Sequence, residues 1–125
     1  HAIVSGRFER PVSTVRNELD DERAVSHIRR EVCSKDASFL KIHIETGRTH
    51  QIRRHLASLR HPVLGDREHG LKTARDPRLL TVPRQMLHAS GLELPHPLLP
   101  GATLKAHSPL PADFRRCLKL FDMGK

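Results

Sequence analysis

The sequence predicts an α+β fold, a largely antiparallel sheet with flanking helices. Three observations carry that expectation. Phe39–Glu45 alternates, with Leu40, Ile42 and Ile44 to one side and Lys41, His43 and Glu45 to the other, the period of a half-buried antiparallel strand. Directly downstream the period lengthens, and Ile52, Leu56 and Leu59 recur at helical spacing. Near the end, Phe114, Cys117, Leu118 and Phe121 stand at i, i+3, i+4 and i+7 behind Pro111 and Asp113, the pattern of an amphipathic helix with its start signals.

The other elements follow in chain order. Ala2–Val4 reads as the tail of a strand closed by Gly6. Residues 7–23, with Pro11 and the acidic cluster Glu18, Asp20, Asp21 and Glu22, read as a polar surface excursion in which Asp20 and Asp21 are a solvated pair. Ala24–Val32 is a second strand, and Lys35-Asp36 turns the chain into Phe39–Glu45. Thr46 or Thr49 is placed to cap the helix that follows, Pro62 ends it, and Gly65-Asp66 forms a turn. Residues 67–85 are basic and irregular. Two short strands are expected around Leu87–Leu94 and Thr103–Ala106, joined by a loop rich in Pro and Gly. His61 and His96 each precede a proline and serve turns.

At 125 residues the chain is one domain or a piece of one. Its 22 Lys+Arg against 14 Asp+Glu leave a net charge of +8, a balance that favours nucleic acid over a neutral metabolite. With four Phe and neither Trp nor Tyr, a stacking platform for single strands is disfavoured. Cys33 and Cys117 lie too far apart for a zinc spacing or a disulfide framework, so a reducing cytoplasm fits. No apolar run approaches membrane-spanning length. The opening His1-Ala2-Ile3-Val4 starts inside an apolar stretch without Met, which suggests a truncated chain.

The segment Thr46-Gly47-Arg48-Thr49-His50-Gln51-Ile52-Arg53 is the most informative. It lies where strand hands over to helix, so free backbone N–H groups can meet phosphate. Gly47 allows a sharp turn and close approach. Arg48, Arg53 and Arg54 supply permanent cations with forks suited to phosphate or carboxylate. At about 100° per residue, Arg53 flanks the apolar stripe with Arg60, whereas Arg54 points away with His50. No metal is expected: His50 and His55 are too far out of phase to share a helix face, and His43 with Glu45 lacks a third ligand. Asp66 reads as a turn residue rather than a nucleophile.

These residues, followed by His55-Leu56 and His61-Pro62-Val63-Leu64-Gly65-Asp66, resemble the C-terminal motif of RluA-type pseudouridine synthases. Ala24-Val25-Ser26, Leu87-His88-Ala89 with Leu92 and His96-Pro97, and Lys105-Ala106 through Pro109–Phe114 resemble the flanking segments in the right order. The resemblance implies a pseudouridine synthase-like fold, of which residues 1–125 are the C-terminal portion of the catalytic domain. It implies isomerisation of uridine to pseudouridine in structured ribosomal or transfer RNA, by a monomer, with no cofactor and no metal. By that resemblance Arg53 pairs with the nucleophilic aspartate and Ile52 packs under the pocket, while Arg48, His50, Gln51 and Arg54 contact RNA. The family's His-Arg-Leu-Asp motif is not in this chain, and the tyrosine of its Tyr-x-Ala-x-Val-x-Gly segment would fall just before His1. The chain alone is therefore expected to be inactive. Arg60 stands where the family has a helix-ending glycine. A non-catalytic RNA-binding module and a basic structural or ribosome-associated protein are the alternatives.

Overall fold

The alternating segment forms one of the two inner strands of a four-stranded antiparallel sheet. In the computed structural model, which describes residues 1–74, 76–95 and 98–123, β1 (Ala2–Ser5), β2 (Val12–Val15), β3 (Ser26–Cys33) and β4 (Ala37–Ile44) lie in the order β1-β4-β3-β2. Leu40 is fully buried and faces Ala2 across the β1–β4 pair. Ile44 departs from the expected pattern and is 39% exposed, because the strand runs out past the core. The register of β3 against β4 shifts between Arg30 and Val32, so the bulged strand carries Glu31 as an extra residue. The His96-Pro97 turn lies outside the described residues.

One strand falls inside the expected loop. Val12–Val15 pairs with β3 although only Val15 is buried. Its outer face is wet, so it lacks the alternation that would reveal an edge strand. Beyond it, Leu19 and Glu22 bond to each other around Asp20 (φ 55°) and Asp21 (φ 60°). Two successive left-handed residues are what a tight type I′ connection needs, and Asp tolerates them.

The free side of β1 is covered by single extended residues. Ile3 donates to Met86 O at 3.0 Å and accepts from Leu64 N at 2.9 Å. This draws the chain after α1 (Gln51–Ser58) back alongside the sheet. A separate ribbon pairs β5 (Gly91–Pro95) with β6 (Thr103–His107). The closing helix α2 (Ala112–Leu120) buries Phe114, Cys117 and Leu118, with Phe121 buried at its C-cap, as its spacing predicted. Phe114 meets Phe39 edge-on at 5.9 Å. Each such large apolar side chain contributes roughly 1.5–3 kcal/mol by leaving water. Leu56 is α1's contribution to the same core, with Ile52 and Leu59 packed against it.

Neither threonine caps α1. Its N-cap is His50, itself left-handed at φ 51°, with no side-chain cap hydrogen bond. At the other end Arg60 N donates to Ala57 O and His61 N to Leu56 O, both at 3.0 Å. With Arg60 at φ 66° this is a Schellman ending with a non-glycine residue in the left-handed position. A Cβ there is unfavourable by about 1 kcal/mol. Arg60→Gly is accordingly expected to stabilise the fold by about 1 kcal/mol in urea denaturation. No gain would show that the surrounding contacts of Arg60 offset its backbone.

Candidate active site

The strand-to-helix junction is organised from inside by Gln51. Its Oε1 accepts from the Thr46 hydroxyl at 2.6 Å and from Arg48 N at 3.1 Å. Its Nε2 donates to Val25 O at 2.8 Å and Ser26 Oγ at 3.0 Å. Gln51 is 3% exposed, so a buried amide satisfied on both sides joins the loop to the start of β3. This corrects its expected place among the RNA contacts: Gln51 is scaffold, turned inward by these bonds. Thr46 serves the same scaffold, accepting from Val25 N at 3.0 Å. His55, also buried, bridges Ser26 Oγ and Asn17 O. Gly47 is not the sharp bend, since its φ is not left-handed and an added Cβ would meet open space. That conformation is taken by His50.

Arg53 behaves as its helical phase predicted, lying beside the core with its side chain 11% exposed. Its partner in this chain is Asp66. Nε donates to Oδ2 and Nη2 to Oδ1, each at 2.7 Å, a bidentate fork onto a carboxylate with no solvent exposure. Asp66 is in a turn, as expected, but its carboxylate is also the anchor of the site. Oδ1 accepts from Glu68 N at 3.0 Å and His69 N at 3.1 Å. Arg53's hydrogen bonds, and then those two backbone N–H groups, hold the Asp66 carboxyl well below the usual carboxylate range against the opposing effect of burial. The same fork raises the guanidinium's already high pKa. Among the described residues Arg53 Nη1 has no hydrogen-bond partner, and no buried side-chain nitrogen or oxygen is left unpaired. Nη1 is therefore the edge Arg53 presents outward.

Two glycines fix the turn. At Gly65 (φ +79°) a Cβ would lie 1.9 Å from Arg84 O, and at Gly70 a Cβ would lie 2.0 Å from Asp66 O. A cleft of about 390 Å³ opens against this turn, walled by Leu64, Leu71 and Leu79 and flanked by Arg67 and Lys72.

The outer cations are not bare. Arg54 forks onto Asp20 at 3.0 and 3.2 Å, and Arg48 reaches Glu22 at 3.1 Å while its Nε donates to Arg23 O. The acidic excursion thus lies over the face that its charge would otherwise leave open. His50, 38% exposed, faces Glu68 and His69. Those three side chains put a ligand atom each within 4.8 Å of one another, a grouping absent from the expected histidine pairs. Nineteen positions separate His50 from His69, a spacing with no periodic signature.

Known proteins match this chain in sequence and in fold. A model of the family described as RNA pseudouridylate synthase matches residues 3–58, from β1 to the end of α1. The chain is 47% identical over 87 residues to an uncharacterised RNA pseudouridine synthase of Mycobacterium bovis, covering 67% of this chain and 27% of that protein. It is 43% identical over 100 residues to ribosomal large subunit pseudouridine synthase D of Haemophilus ducreyi, covering 73% and 30%. The synthase D of Pseudomonas aeruginosa is 40% identical over 105 residues, covering 78% and 32%. The chain spans about three-tenths of the length of these curated relatives. In fold it is similar to the solved human RNA pseudouridylate synthase domain containing 1, with a TM-score of 0.66 at 24% identity, covering 86% of this chain and 52% of that one. The fold is that of a pseudouridine synthase domain. Within that class, the chain belongs to the RluA-type pseudouridine synthase family.

Asp66→Asn leaves the Arg53 guanidinium without its counter-charge in a nearly closed site. A loss of about 3 kcal/mol is expected in denaturant unfolding. Because the folded carboxyl is held low, its stabilisation is present above about pH 4 and fades as pH falls further. The wild-type chain should therefore lose stability below that pH more steeply than Asp66→Asn. Parallel acid profiles would remove the fork from the stability of the fold.

Proposed function

We propose that this chain is the C-terminal portion of an RluA-type catalytic domain and that the whole protein isomerises uridine in large-subunit ribosomal RNA. The reaction breaks the bond from C1′ to N1 of uracil and forms the bond from C1′ to C5; C5 loses its proton and N1 gains one, so that substrate and product are isomers. The observation that carries the reading is Arg53: a guanidinium fixed by Asp66, with its Nη1 edge still presented outward. A carboxylate nucleophile must stay ionised in a partly dry pocket, and a fixed guanidinium edge would keep it so. That nucleophile would come from a His-Arg-Leu-Asp segment outside these 125 residues. Ile52 would pack beneath the pocket, in keeping with its place against the core. A cleft of this size, with an apolar wall and two flanking cations, suits a base drawn from its stack with its phosphate. Arg48, His50 and Arg54 would meet the RNA backbone, where the charge of the two arginines offsets the cost of unstacking. Free Cys33 and Cys117 accord with a reducing cytoplasm. The names of the synthase D relatives point to ribosomal RNA.

The test is pseudouridine mapping in ribosomal RNA treated with the protein extended upstream through that motif. Arg53→Lys, which keeps the charge but cannot fork, should lower turnover about 100-fold while RNA binding persists. Full activity in that variant would take Arg53 out of the mechanism. Turnover by residues 1–125 alone would overturn the assignment of the nucleophile. Salt-dependent RNA binding without turnover in the extended protein would favour the non-catalytic module. In a second measurement, Asp20→Asn combined with Glu22→Gln should raise RNA affinity and steepen its salt dependence by releasing Arg54 and Arg48. Unchanged affinity would place the RNA elsewhere.

A further inference from the structure

We propose that His50, Glu68 and His69 form a zinc site with three protein ligands and an open fourth position. This goes beyond the reading of the chain as an RNA-modifying enzyme and does not depend on it.

The argument is geometric. His50 Nδ1 and His69 Nε2 are 3.4 Å apart, His50 Nδ1 and Glu68 Oε2 are 3.7 Å apart, and His69 Nε2 and Glu68 Oε2 are 3.9 Å apart. A metal with ligands at about 2.0–2.1 Å in tetrahedral array needs edges of about 3.4 Å between them. An octahedral ion of the same radius, such as Mg²⁺, needs edges of about 3 Å and prefers oxygen ligands. One observed edge equals the tetrahedral value, at 3.4 Å, and the other two, at 3.7 and 3.9 Å, close to it by small rotations of the side chains; all three are wider than the octahedral edge. Two imidazoles and one carboxylate are also a donor set that zinc accepts.

The triangle is held from behind. Arg53 lies one turn along α1 from His50 and forks onto Asp66, and Asp66 Oδ1 takes the backbone N–H groups of Glu68 and His69. One buried carboxylate therefore fixes both halves of the site. Glu68 divides its oxygens: Oε1 lies 4.0 Å from Arg53 Nη2, while Oε2 faces the histidines. A partner on the non-ligating oxygen orients a metal-binding carboxylate. His50 is held left-handed at φ 51°, which aims its ring at His69 with centroids 5.6 Å apart. The open position would take water or a phosphate oxygen.

The protein, stripped with a chelator, should take up one equivalent of Zn²⁺ in calorimetric titration. Co²⁺ in its place should give the intense visible absorption of a tetrahedral ion. His69→Phe keeps the ring volume and His50→Asn keeps the left-handed backbone; both should abolish that uptake while circular dichroism stays native. His27→Ala with His43→Ala, on the other face beside Glu45, should leave it intact. No stoichiometric uptake by the wild-type chain would overturn the proposal. So would uptake undiminished in both His69→Phe and His50→Asn, or a weak octahedral Co²⁺ spectrum.

Discussion

The bidentate contact between Arg53 and Asp66 is the interaction on which the site depends. It ties α1 to the turn that follows the sheet-hugging segment Val63–Leu64, with a carboxylate that has no solvent exposure. Such a pair is costly to desolvate, and it is tolerated because the carboxylate has further donors: Asp66 Oδ1 also accepts from the N–H groups of Glu68 and His69. The pair orients more than it stabilises. It sets the direction of the guanidinium, the course of the 66–70 turn, and the distance between His50 and His69. Gly65 and Gly70 make the turn possible, since a side chain at either would collide with backbone.

Beside this ion pair stands a neutral hub. Gln51 satisfies its whole amide inside the chain and binds the strand-to-helix loop to β3. With His55 bridging Ser26 and Asn17, it makes a polar seam between α1 and the sheet, where apolar packing alone would leave loop backbone groups unpaired. The arginines around that seam can therefore vary in role while the loop stays in place.

Charge is distributed less simply than its total suggests. A net +8 describes a chain drawn to polyanions. Yet Arg48 and Arg54 are matched locally by Glu22 and Asp20, brought over by a hairpin turn with two left-handed aspartates. Exposed pairs of this kind are weak, so a phosphate backbone can compete for the arginines. The acidic excursion screens the surface without closing it.

Periodicity and motif in the sequence alone determined the α+β class, the alternating strand, both helices, the division between Arg53 and Arg54, and the family. These are local properties: a side chain's phase on a helix or strand follows from its position, and a motif is a run of neighbours. The sequence missed β2, whose single buried residue leaves no alternation to detect. It misplaced the cap of α1 and turned Gln51 outward, because burial of a polar residue depends on partners more than 20 positions away. Only the tertiary structure decided that Asp66 holds Arg53 and that His50 meets Glu68 and His69. Those contacts join segments 13 and 19 residues apart in directions set by turn geometry, which no one-dimensional spacing encodes.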